Sequence, residues 1–251
     1  MIRSATIGGR LWAFAVWAVT GLFVLNLVGV IATVVLDSFA TRWLGTWLPA
    51  GWTGRWYGSA WDEFQLGDVL FQTFEVAFLV VAIAGVVGTL AAYALARRNF
   101  PGKRGVVLLV LLPMLIPPIT YGIPLATVLY QVGLGGTLSG VVAANLVPTV
   151  PFVVLIMVPF IEQVDIKIEA AARVFGAGPF KLFWYVLLPL LLPGVMAALL
   201  LVLVRTVAMF ELSFLVSGPD RQTLVVALYY AVFAAGVRRR SPWMRWRWFT
   251  W

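Results

Sequence analysis

A chain of 251 residues that is 62% hydrophobic and 11% charged cannot clothe a soluble globule, and its mean hydropathy of +0.98 fits a membrane bundle. The net charge of +8 does not mark a nucleic-acid binder, because the cations sit in short clusters between apolar runs. Cysteine and histidine are both absent, which excludes disulfides, thiol chemistry and the usual nitrogen and sulfur metal ligands.

Five apolar stretches reach the roughly 20 residues that a helix needs to cross the hydrocarbon core. They run over about residues 11–36, 69–96, 105–132, 141–161 and 182–204, the last continuing some way beyond. The expected fold is therefore all-α, a polytopic transmembrane helix bundle, in one membrane domain over residues 1–237. Arg3 and Arg10 precede the first run as in a signal peptide, and Ser38-Phe39-Ala40 resembles a cleavage site. The run exceeds the 7–15 residues of a signal h-region, so it reads as an uncleaved signal anchor.

Charges set the expected orientation. Arg3, Arg10, Arg97, Arg98, Lys103 and Arg104 fall on one side, while Asp37, Asp62, Glu63 and Asp68 outnumber Arg42 and Arg55 in the loop after the first run. The positive-inside rule then predicts a cytoplasmic N-terminus and a long interior loop at about 162–181. Trp43, Trp47, Trp52, Trp56 and Trp61 in the first exterior loop read as headgroup-level anchors. Pro113, Pro117, Pro118 and Pro124 fall in the third run, and Pro148, Pro151 and Pro159 in the fourth. Each interior proline removes a backbone hydrogen bond, which membrane helices tolerate beside a neighbour or a water-lined cavity. Broken helices of this kind suit a transporter.

The interior loop carries the most specific signal. In Ile168 to Pro179, a helix would place Ile168, Ala171, Ala172 and Phe175 on one apolar stripe. Glu169 and Arg173 pair at i, i+4 on another face, in the favourable order. Gly176 and Gly178-Pro179 then stop the helix. The small alanines let a partner surface approach, and Phe175 offers an anchor. A helix lying on the bilayer surface is the bland alternative, but this stripe is narrow and mostly alanine.

This segment resembles the "EAA loop" in permease subunits of binding-protein-dependent ABC importers: Glu-Ala-Ala, three residues, Gly, nine residues, then Ile-x-Leu-Pro. Here Ala171, Ala172, Gly176 and Pro189 match, with Val186-Leu187-Leu188-Pro189 at the expected spacing. Ala170 stands where the family has its acid, and Glu169 lies one place earlier. The resemblance implies a type-I importer permease fold, expected to have six spans, in a bacterial inner membrane. It also implies that the segment through Glu169, Ala170, Arg173 and Phe175 is a coupling helix docking on separate ATPase subunits. Further implied partners are a second permease subunit and a periplasmic solute-binding protein, besides membrane lipid. No nucleic acid and no cofactor of its own are expected. The chain has no G-x-x-x-x-G-K-[ST] cradle, so ATP binding and hydrolysis are assigned to the partner and the chain is not expected to be an enzyme. Residues 43–56 and 210–230 look most like spermidine and putrescine permeases. Aminophosphonate, opine and ferric iron importers are the alternatives within the class; a stand-alone channel or secondary carrier is the alternative outside it.

Three charges fall in or near the membrane: Glu75 early in the second run, Arg205 in the extended fifth, and Glu211 toward its outer end. Intramembrane charges normally face a bundle interior, so these residues are expected to line a solute path. A structural ion pair of Arg205 with Glu75 is the competing expectation.

Residues 238–251 form a basic, Trp-rich tail that departs from the family pattern, with no sixth apolar run. It could act as an interfacial anchor. Back-translated and read two bases later, Trp243 to Trp251 can encode Asp-Ala-Met-Ala-Val-Val-Tyr-Met, the opening of a span. A frameshifted or truncated product is therefore expected, with an inactive permease as one alternative.

Overall fold

In the computed structural model the described residues are 7–43, 46–218 and 221–240, with side chains described for 9, 11–43, 46–218 and 221–233. Arg3 and residues 241–251, on which expectations about orientation and the tail rest, lie outside them. Among the described residues every regular element is helical, apart from one isolated bridge between Ala40 and Trp52. The chain divides into two units at Glu63 and Phe64.

The first unit contains α1 (Ile7–Ser38) and α2 (Arg55–Glu63). The side chains of α1 are apolar and exposed around the helix, from Leu11 and Trp12 to Val35 and Leu36. A helix that is apolar on all sides is stable only when buried in lipid or in protein. After α1 the chain folds into a small knot: Thr53 N–H donates to Phe39 O (2.7 Å) and the Trp56 indole Nε1 donates to Ala40 O (3.0 Å). Trp56 and Trp43 thus have local partners, Trp43 Nε1 donating to Thr46 O (2.9 Å), whereas Trp47 is almost fully exposed.

The second unit contains α3 (Leu66–Arg97), α4 (Lys103–Leu115), α5 (Pro118–Gln131), α6 (Leu138–Gln163), α7 (Ile166–Val174), α8 (Pro179–Leu182), a π-helical turn (Phe183–Leu187), α9 (Leu188–Val207), α10 (Glu211–Val216) and α11 (Leu224–Arg240). Helices α3 and α6, and α8 continuing through the π turn into α9, are long and apolar enough to cross a membrane, as is α1. The third apolar run is broken, as its prolines suggest. It breaks into α4 and α5, which meet at 100°. Each half is about 20 Å long, short of the hydrocarbon thickness. The cause is the double proline: Ile116 and Pro117 each precede a proline, and both are extended (ψ 135° and 134°). Single prolines do not have this effect here, since α6 runs unbroken through Pro148, Pro151 and Pro159.

Small residues bring the long helices together, as membrane packing requires. At Gly88 of α3 an added Cβ would stand 2.6 Å from Val153 Cβ of α6. At Gly194 of α9 it would stand 2.6 Å from Phe160 Cγ of α6. One apolar core forms around Ala84, Ala92, Val153, Met157, Leu187 and Leu191, and a second around Val80, Leu129, Val141, Leu212 and Val216. The first core ends beneath α7, against which Ala172 packs.

A clamped helix and the membrane-embedded charges

Helix α7 is bounded at both ends by its own sequence. Asp165 is its N-cap, with Oδ1 accepting from Lys167 N–H at 2.9 Å. At the other end Gly176 takes φ +82°. Gly176 N–H donates to Arg173 O (2.9 Å) and Ala177 N–H to Ala172 O (3.0 Å), the two bonds of a Schellman stop. Nothing crowds Gly176, so its requirement is the left-handed backbone rather than space. Gly176→Ala is expected to cost about 1–2 kcal/mol of local stability. Backbone amide exchange at Phe175 and Ala177 should report it as faster opening of the last turn.

Gly178 and Pro179 then start α8, as their order in the sequence suggests. The π turn follows, with Leu188 N–H donating to Phe183 O, five residues back. It ends at Leu187, just before Pro189 in the first turn of α9. A proline there has no N–H to give to the preceding turn, and its ring would crowd the carbonyl four residues back. The widened turn relieves both problems.

Glu169 forms the expected i, i+4 pair with Arg173, but its side chain turns inward, 3% exposed, and finds closer partners that the sequence did not suggest. Glu169 Oε1 accepts from Arg97 Nε (2.6 Å), Oε2 accepts from the Tyr93 hydroxyl (2.8 Å), and Arg173 stands at 3.7 Å from Oε2. Arg97 also donates to Val164 O (2.6 Å), so the end of α3 holds both α7 and the turn before it. Tyr93 and Arg97 are the residues the sequence reading missed, Arg97 having counted only as a topology charge. The clamp gives a reason for the shifted acid: position 169 faces α3, whereas Ala170 is exposed.

Opposite the clamp, α7 presents a bare surface. Phe175 is 90% and Val174 85% exposed, and Ile166, Ile168, Ala170 and Ala171 are exposed beside them. Of the expected stripe only Ala172 is turned partly into the core.

The three membrane charges do not gather into one site. Glu75 is half-buried and pairs with Arg221 before α11 (3.6 Å), not with Arg205. Nearby, Thr73 Oγ1 accepts from Leu224 N–H (2.8 Å), fastening the start of α11 to α3. Arg205 instead lies over the Phe152 ring, its guanidinium 4.8 Å from the ring centre. Glu211 opens α10, beyond the end of α9. The hydroxyl of Tyr121, Asn145 Oδ1 and Thr206 Oγ1 are buried without a hydrogen-bond partner.

Residues 84–244 match the family of binding-protein-dependent transport system inner membrane components. A chloroplastic sulfate permease of Chlamydomonas reinhardtii is 33% identical over 161 residues, 59% of this chain and 44% of that protein. The putrescine transport system permease protein PotI of Escherichia coli K12 is 27% identical over 207 residues, 79% of this chain and 73% of that protein. The chain spans about half the length of the sulfate permease and of other curated relatives it matches. A chain from the crystal structure of a bacterial ABC transporter, involved in import of the acidic polysaccharide alginate, superposes with a TM-score of 0.72 at 17% identity. That superposition covers 93% of this chain and 87% of the other, and shows the fold. The family match takes in the packed α6–α9 core, the clamped α7 and the proline at the start of α9, and the chain belongs to the family of binding-protein-dependent transport system inner membrane components.

Proposed function

We propose that this chain is the membrane-spanning subunit of an ATP-driven solute importer and that α7 is its coupling helix. The observation that carries the reading is the two-sided construction of α7, locked to α3 through Glu169 and Arg97 and bare at Val174 and Phe175. Glu169, Arg173 and Gly176 shape and hold the helix, Ala170, Ala171 and Ala172 keep it slim, and Phe175 seats in the partner. Pro189 sets the turn through which movement of α7 reaches α9. The partners are two ATPase subunits on the cytoplasmic side, a second permease subunit and a periplasmic binding protein, with the N-terminus cytoplasmic. The experiment is co-purification of the full chain with its ATPase, comparing native protein with Phe175→Asp. Capture of the ATPase by the native chain alone supports the reading, and equal capture by both removes it.

For the solute, the reading is a polyamine-like cation passing Glu211, with the unpaired oxygens of Tyr121 and Asn145 available to it. The similarity to PotI over 79% of this chain supports it. The 33% identity to a sulfate permease favours an anion instead, with Arg205 as the counter-charge. Uptake into vesicles carrying the assembled importer should be competed by putrescine and not by sulfate. The reverse result would exchange the two readings.

A further inference from the structure

A basin of about 630 Å³ opens beside α7, between that helix, the end of α3 and the start of α8–α9. Four cations line it, Arg97, Arg98, Lys167 and Arg173, against the single carboxylate of Glu169. That carboxylate is already engaged on both oxygens by Arg97, Tyr93 and Arg173. Asp165, which caps α7 through the Lys167 backbone, does not line the basin. Among the described residues Arg98 and Lys167 form no ion pair, and both are exposed. The basin therefore holds a positive charge that this unit does not neutralise.

Its depth in the membrane can be read from its walls. One candidate span ends at Arg97 and another begins at Pro179, both at the basin. Leu182, Phe183 and Leu187 supply its apolar wall. On the same turn Trp184 and Tyr185 are exposed, 50% and 79%, as aromatic residues are at the headgroup level. Cations above an apolar wall, at the end of two spans and on the same turn as two exposed aromatics, match an amphiphile with an anionic head. A soluble acidic peptide would use the charges but leave the apolar wall unmet.

We propose that this basin binds the phosphodiester headgroup of an anionic membrane lipid, with Arg98 and Lys167 as its principal contacts. Guanidinium offers paired donors to phosphate oxygens and the ammonium adds a point charge. Basic pockets between membrane helices hold anionic headgroups by this chemistry. The site shares α7 with the coupling reading but does not depend on it.

The test is native mass spectrometry of the full chain in neutral detergent, offered phosphatidylglycerol or phosphatidylcholine with the same acyl chains. The native chain should retain phosphatidylglycerol preferentially. The double variant Arg98→Gln/Lys167→Gln should lose that retention about 10- to 30-fold, on the order of a kcal/mol for each cation removed. Both side chains are outside the Glu169 clamp, so the variant should fold. Arg55→Gln, a cation of the other unit, should leave retention unchanged. Equal retention of the two lipids, an unaffected double variant, or the same loss from Arg55→Gln would overturn the proposal. Displacement by millimolar inorganic phosphate as effective as by short-chain phosphatidylglycerol would identify a free-anion site and overturn the lipid. Loss of ATPase capture in the double variant, with lipid retention intact, would make the basin a protein-docking surface and overturn it as well.

Discussion

Glu169→Ala is expected to destabilise the chain by about 3 kcal/mol, because it leaves the Arg97 guanidinium buried without its partner. Against the 5–15 kcal/mol that typically separates folded from unfolded states, this is a large fraction. The side chains of the pair are 12% and 3% exposed, so solvent cannot take over the lost interaction. The Tyr93 hydroxyl loses its acceptor in the same change. A double-mutant cycle separates charge from packing. Arg97→Met alone should cost a similar amount, and Glu169→Ala combined with Arg97→Met should cost clearly less than the sum of the two, since neither ion then has to be desolvated. Denaturant unfolding of the full chain in detergent, followed by circular dichroism, measures all three. A cost below about 1 kcal/mol for Glu169→Ala would mean that the clamp opens to water in solution. The consequence for the proposed function is specific: α7 would keep its docking face but lose its connection to α3. An ATPase bound to such a variant should hydrolyse ATP without driving uptake.

Phe175→Asp is expected to do the reverse, leaving the fold intact and removing the partner. At 90% exposure the ring contributes little to the folded chain, and exposed substitutions usually change stability by about 0.5 kcal/mol or less. At an interface the same ring, flanked by Val174 and the short side chains of Ala170 and Ala171, is the only large aromatic on α7 or its cap. Central aromatic anchors commonly account for about 2–4 kcal/mol of binding, which is a roughly 30- to 1000-fold loss of affinity. Burying an aspartate in the vacated seat adds a desolvation penalty. The paired measurement is the melting temperature of the chain and a titration with purified ATPase subunit. An unchanged melting temperature with affinity reduced at least 30-fold is the expected outcome. Unchanged affinity would move the docking surface away from α7, while leaving the Glu169 clamp as a structural fact.

Much of this architecture is legible in the sequence because it follows from local rules. Apolar runs of membrane length became α1, α3, α6 and the continuous span from α8 into α9, within a few residues of the expected bounds. Asp165 and Gly176 delimit α7 by side-chain capping and left-handed backbone, both readable from one or two residues. The break in the third run was also encoded, in Pro117-Pro118, but hydropathy averages over it and reads α4 and α5 as one span. Only tertiary structure decided the partners of the charges. Glu169 has Arg173 one turn away, yet its shortest contact is Arg97, 72 residues earlier. Glu75 faces Arg221 rather than Arg205 because the start of α11 is fastened to α3 at Thr73. Burial is the reason. A charge withdrawn from water must take the donors that the packed helices bring to it, and close approaches such as Gly88 against Val153 determine which helix ends meet.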